Sequence, residues 1–331
     1  MYRKLLMILI TIGLLASLIF TGMTTIYASA IHNFEKPIEN KFTIPPDETF
    51  FSTEEDFVTC GPEPPDGNPI VSDGDLLTSS GTIYARNALL LFSFDVSADL
   101  GLNAVDVIET GDSSTYFNSN SLIAFSTELD STTPGQFTSG DLLTTGGAVI
   151  PAIALLYNFG VQSDLGLDAV HFIGDKSAII SFMDTAATYD RDFWKSNPQA
   201  LTAMLTEAGI DIWFSTEGTA PSPENPVFLD GDLLSVRYGS IVSSNEQLLP
   251  PDAPAGIPSK GVDFGLDAVT ADRYGTTALI HFSTELLYNN DISFTDGDVL
   301  SYGSGMVYTN YDICLLYTSP SPRDRTRSRM P

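Results

Sequence analysis

Cysteine is almost missing from this chain: its 331 residues hold two, Cys60 and Cys314. Cys314 falls in a foreign-looking tail described below, and Cys60 stands alone in TCGPEPPDGNP. No intrachain disulfide is therefore expected, and stability has to come from a hydrophobic core. Basic residues are scarce as well, with 15 Lys plus Arg against 42 Asp plus Glu and a formal charge of −27. A surface of that sign repels phosphate backbones and anionic lipid, which disfavours nucleic-acid binding and peripheral membrane docking. No Cys-x-x-Cys pair, phosphate-binding Gly loop, dinucleotide fingerprint, G-x-S-x-G elbow or D-x-D-x-D-G loop occurs. The three histidines, His32, His171 and His281, fall at different points of the chain's repeat and offer no third ligand for zinc. Apolar residues make up 43 %, enough for a packed core and too many for a disordered acidic chain.

What is present starts with a leader. Arg3 and Lys4 precede an apolar run from Leu5 to Phe20 and the small-residue triplet Ala28-Ser29-Ala30, the layout of a secretory signal peptide spanning 1–30. The run is broken by Thr11 and Ser17 and falls short of the roughly 20 residues a membrane span needs, so no membrane insertion is expected after cleavage. A secreted or cell-surface protein follows, with 31–50 as a lead-in. At the other end, CLLYTSPSPRD followed by RTRSRMP breaks in charge and composition from everything before it and resembles translated sequencing adaptor. Residues 314–331 are expected to be foreign to the protein. Without the leader and this tail the charge is about −32. Divalent cations, chiefly calcium, and a screening salt medium suit such a surface.

The chain aligns with itself. FSTE recurs at Phe51, Phe125, Phe214 and Phe282; Gly-Asp-Leu/Val-Leu recurs at Gly74, Gly140, Gly231 and Gly297; D-(L/F)-G-L-(D/N)-A-V recurs at Asp99, Asp164 and Asp263. Units run over about 51–94, 99–159, 164–249 and 263–313, together forming a β-repeat domain at 51–313. LDAVHFIGDKSAIISF, residues 167–182, reads as a hairpin around Gly174-Asp175, and GDLLSVRYGSIVSSN, residues 231–245, as another with its turn near Tyr238-Gly239. About four short strands per unit and no recurring helix predict an all-β repeat fold, most simply a truncated β-propeller with four-stranded blades. Another tandem β-repeat or a β-solenoid is the alternative. The GLDAV, FSTE and GDLL strands resemble those of uncharacterised exported bacterial β-repeat proteins. That resemblance implies a surface or secreted protein and carries no catalytic residue over.

Two sets of residues are candidates for chemistry. Asp75, Asp141, Asp232 and Asp298, beside the turn glycines, either cap free amides or form a shallow calcium site repeated in each unit. The second set lies in an excursion at 184–213 that breaks the repeat. A helix is expected there, with Asn197 as N-cap, Pro198 at N1 and Gly209 as the stop. Tyr189, Asp190, Arg191, Asp192, Trp194 and Trp213 gather in or beside it, a composition suited to a glycan or protein ligand. If the excursion carries the ligand site, a short turn in its place should leave the fold intact. In FSTE, Phe is expected inside and Ser, Thr and Glu at the exposed end of a strand. The functional expectation is a non-enzymatic binding protein at the cell surface, possible calcium stabilisation included. The alternatives are a polysaccharide hydrolase or lyase using acids such as Asp190 and Asp192, and a structural envelope component.

Overall fold

The computed structural model describes residues 49–59, 64, 66–112, 115–220, 227–290 and 292–318. The leader, His32, Cys60 and the end of the adaptor-like tail lie outside the described residues. The chain is mostly β, and the strands expected at the FSTE and GDLL motifs are there.

Three antiparallel sheets have four strands each, in the order of the sequence. The second sheet comprises Val105–Glu109, Leu122–Phe125, Leu142–Thr144 and Val149–Ile150. The third comprises Val170–Ile173, Asp211–Phe214, Leu233–Ser235 and Ser240–Ser243. The fourth comprises Ala268–Thr270, His281–Ser283, Val299–Ser301 and Met306–Tyr308. The first sheet, Phe50–Phe51, Leu76–Thr78 and Ile83–Ala85, matches the last three strands of the others. The hairpin expected at 231–245 forms, with Leu233 opposite Ser243 and Ser235 opposite Ser240.

The paired leucines of the GDLL motif explain how the sheets stack. Successive strand residues point to opposite faces, so Leu142 joins the apolar cluster shared with the third sheet while Leu143 joins the one shared with the first. Leu233 and Leu234 divide in the same way between the fourth and second sheets. A sheet covered on both faces needs an unbroken apolar run in place of an alternating one.

Helix recurs, contrary to the sequence reading. A short helical turn follows the fourth strand of each unit: Asn87–Leu90, Ala152–Leu155, Asn245–Leu248 and the longer Asn310–Thr318. The first three bury Leu90 and Leu91, Leu155 and Leu156, and Leu248 and Leu249 between sheets. Four residues are too few to display a helical period, so the pattern stays hidden in the sequence. In the fourth, Tyr317 is buried against the first sheet, its hydroxyl donating to Thr78 O at 2.7 Å.

The excursion differs more. The segment expected to return as a strand after Gly174-Asp175 is the helix Lys176–Ala186, whose N-cap Asp175 accepts from Ser177 N and Ala178 N. Ile179, Phe182, Met183 and Ala186 face the core at helical spacing, and that burial outweighs their strand propensity. Helices Arg191–Ser196 and Gln199–Ala208 follow. Gly209 ends the last one in the left-handed region, as expected. Asn197 is not its cap: the Asn197 amide bonds back to Phe193 O at 3.0 Å. The helices add Trp194, Leu201 and Leu205 to the same buried cluster as Phe172 and Phe214, so the segment is part of the core rather than a removable loop.

Candidate functional site

The repeated motifs fix the chain locally and in doing so place a second set of side chains. In FSTE, Ser126 and Ser215 are buried, not exposed as expected. Ser126 Oγ donates to Leu167 O at 2.7 Å and Ser215 Oγ to Leu266 O at 2.6 Å, each in the following unit. Thr127, Thr216 and Thr284 are buried too, each hydroxyl closing a turn onto the carbonyl two residues on. Only the glutamate is left at the surface. It lies against the glycine of its own GLDAV turn: a Cβ on Gly101, Gly166 or Gly265 would collide with Glu128, Glu217 or Glu285 respectively. Those glycines hold φ near +70°, which only glycine adopts without cost.

Glu54, Glu128, Glu217 and Glu285 thus occupy equivalent positions at the same end of successive sheets, joined there by Asp168 and Asp267. The Asn103 amide, in the position equivalent to those aspartates, donates to Glu217 Oε1 at 2.8 Å across the boundary between units. Asp267 accepts from Ser283 Oγ at 2.6 Å. Asp168 is 4 % exposed and its Oδ2 has no hydrogen-bond partner. Burial, reinforced by Asp267, Glu285, Glu217 and Glu128, pushes the Asp168 carboxyl up to about 10. Partial burial, then Asp230 and Asp267, moves Glu285 to about 7. Glu128 and Glu54 are also raised, first by burial and then by neighbouring acids. Among the described residues no Lys or Arg forms an ion pair with any of the six.

Further along the first strands lies a buried ionic knot. Arg273, just after the first strand of the fourth sheet, grips Asp106 of the second sheet with both terminal nitrogens, at 2.6 and 2.9 Å. It also donates to Phe172 O of the third sheet at 2.8 Å. His171 Nδ1 stands 3.4 Å from Asp106 Oδ1. Although burial opposes it, the charges and hydrogen bonds of His171 and Arg273 hold Asp106 well below the usual carboxylate range.

At the opposite end of the third sheet is a cavity of about 280 Å³ lined by Ile173, Asp211, Trp213, Arg237, Tyr238 and Tyr274, among others. Tyr274 is 91 % exposed and Tyr238 67 %, and the Arg237 guanidinium lies over the Tyr238 ring at 5.1 Å. Asp211 is buried and sets the rim, accepting from Ser235 Oγ at 2.6 Å and Arg237 N at 3.0 Å. Gly275 lies close over the Trp213 indole, where a Cβ would be 3.0 Å from the ring.

The residues singled out in the sequence divide among these places. Each turn aspartate bridges its own turn and the following helical turn. Asp75 accepts from Ser72 N and Asn87 N, Asp141 from Thr138 N and Ala152 N, Asp232 from Leu229 N and Asn245 N, and Asp298 from Thr295 N and Asn310 N. Among the described residues no three His, Cys, Asp or Glu side chains are set to ligate one metal ion directly. In the excursion, Trp194 is fully buried, with Tyr189 edge-on to it and stacked on Phe193 at 4.2 Å. Arg191 pairs with Asp141 at 2.6 Å, Asp190 caps the helix that follows it, and Asp192 is exposed. Trp213 alone reaches the cavity. The acidic cluster is not apparent from the sequence, because only the packing of the units brings the dispersed FSTE glutamates to one end; their recurrence is the signal that points to it.

No family model matches the chain, and neither the curated proteins nor the solved structures give a significant match.

Proposed function

We infer that the chain is an exported, non-enzymatic β-repeat protein whose sheets are arranged as propeller blades, and that it binds a glycan at the aromatic cavity. The cavity carries this reading. An indole floor, two exposed tyrosines, a guanidinium and a fixed carboxylate offer stacking faces and polar partners to a sugar ring, in a volume suited to one residue of a chain. A blade arrangement is supported by the order of the sheets and by the serine bonds that tie the second unit to the third and the third to the fourth. The net charge supports an aqueous, non-nucleic-acid setting. Asp190, tied to a helix N-terminus, is poorly disposed for hydrolysis, which favours binding over turnover.

The test is a glycan array with the wild type, Tyr274→Ala and Trp213→Phe. Retained binding in Tyr274→Ala, or capture of peptides alone, would overturn the glycan reading, and release of reducing ends would overturn the non-enzymatic one.

A further inference from the structure

We propose that the acidic mouth formed by the repeat is a divalent-cation site, in which Asp168 Oδ2 supplies a direct ligand and Glu54, Glu128, Glu217 and Glu285 hold the ion's water shell. This site is separate from the aromatic cavity and does not depend on it.

Three observations carry the proposal. The fold drives like charges together: Glu128, Glu217 and Glu285 are each seated by a glycine of their own unit, while serine bonds hold the second, third and fourth units side by side. Self-repulsion at such a mouth is relieved by a counter-ion, and no Lys or Arg among the described residues supplies one. The second observation is Asp168 itself, buried to all but 4 %, within electrostatic reach of Asp267, Glu285, Glu217 and Glu128 and left with Oδ2 unpartnered. Buried polar atoms are nearly always partnered, so an orphaned carboxylate oxygen marks a place for something else. The third is Asn103. It occupies the equivalent position in the second unit and donates to Glu217, so the fold accepts an amide there. The acid at 168 is not required by the backbone, and a cation gives it a reason.

The ligand spacing indicates which ion. No three acids converge for direct ligation among the described residues, so water must complete the shell. Calcium accepts six to eight oxygens in irregular geometry and takes several from water, whereas magnesium demands a near-ideal octahedron. Calcium is the better fit.

The experiment is calorimetric titration of the folded full chain with calcium, magnesium and spermidine, against sodium chloride at matched ionic strength. Expected are one calcium bound per chain, at least tenfold weaker binding in Asp168→Asn, and weaker binding in Glu217→Gln. Asp168→Asn copies Asn103, so it should fold, which far-UV circular dichroism and an unchanged melting cooperativity would verify. Calcium affinity unchanged in Asp168→Asn, or binding lost in Asp298→Asn and kept in Asp168→Asn, overturns the assignment. So does spermidine binding without calcium binding, or a thermal response to calcium that sodium reproduces.

Discussion

Ser126 Oγ donates a 2.7 Å hydrogen bond to the carbonyl of Leu167, 41 residues later and one sheet over. Ser215 repeats it with Leu266. The Ser126 hydroxyl is buried and also accepts from Ala104 N at 2.9 Å, so its removal orphans a donor and an acceptor together. Ser126→Ala is expected to cost about 1–3 kcal/mol. Urea denaturation at two sites, with Ser52→Ala as an incompletely buried comparison, checks it; a loss equal at Ser126 and Ser52 would remove the special role of the inter-unit bond.

Acid and alkali should each weaken the fold, through different residues. Asp106 has its folded pKa depressed by His171 and Arg273 despite burial, so its contribution is present above the unfolded value near 4 and is lost as pH falls through the folded one. Asp263 behaves oppositely. Burial and its contact with Asp230 raise it to about 8, so the folded state holds that proton more tightly, and stability declines as pH rises from about 4 to about 8. Melting temperature against pH should therefore peak on the mildly acidic side in metal-free buffer. Asp168 and Glu285, raised to about 10 and about 7, share the alkaline limb, so Asp263→Asn should make it shallower without abolishing it and leave the acid limb alone; an unchanged alkaline limb refutes the assignment.

The excursion should prove structural when tested. Trp194 is fully buried among Tyr189, Phe193 and the residues of the largest core cluster. Trp194→Ala is expected to cost about 3–5 kcal/mol. Trp194→Phe should cost far less, because the indole N–H it removes is buried without an acceptor. Chemical denaturation of both variants measures the difference. In the fluorescence of the intact chain, a ligand should perturb Trp213 and leave Trp194 silent.

Gly265 offers a test that joins backbone and mouth. Its φ of +67° and its contact with Glu285 make Gly265→Ala costly by about 1–2 kcal/mol from backbone strain alone. The displaced Glu285 should also lower calcium affinity. An alanine variant as stable as the wild type would show that the turn relaxes without penalty.

The strands of this fold were legible because the chain supplies four copies of FSTE and of GDLL and three of GLDAV. FSTE and GDLL mark strand positions, and the Tyr238-Gly239 turn falls where the sequence puts it. The hairpin misread at 167–182 shows the limit: Gly174-Asp175 suits a turn and a helix N-cap equally, and only the apolar spacing from Ile179 to Ala186 decides between them. Trp213 was found by composition, but the cavity beside it depends on Tyr238 and Tyr274, which come from a hairpin turn and from the next unit. The acidic mouth was hidden for a geometric reason. Repetition along a chain disperses residues, whereas side-by-side packing of the repeats concentrates the same residues at one end.

Arg273 imposes an order on assembly. It arrives 167 residues after Asp106, yet it is the cation that neutralises Asp106 and bonds the carbonyl of Phe172. While the chain is being synthesised, the second and third sheets emerge first and bring Asp106 together with His171 and the Phe172 amide. Closing them tightly at that stage would strand an anion short of its main counter-charge, which is costly in a dry interior. The early sheets are thereby held from final consolidation until the fourth supplies its guanidinium. A single late residue thus bears on completeness, and nascent chains released before Arg273 should remain sensitive to protease in their second and third sheets.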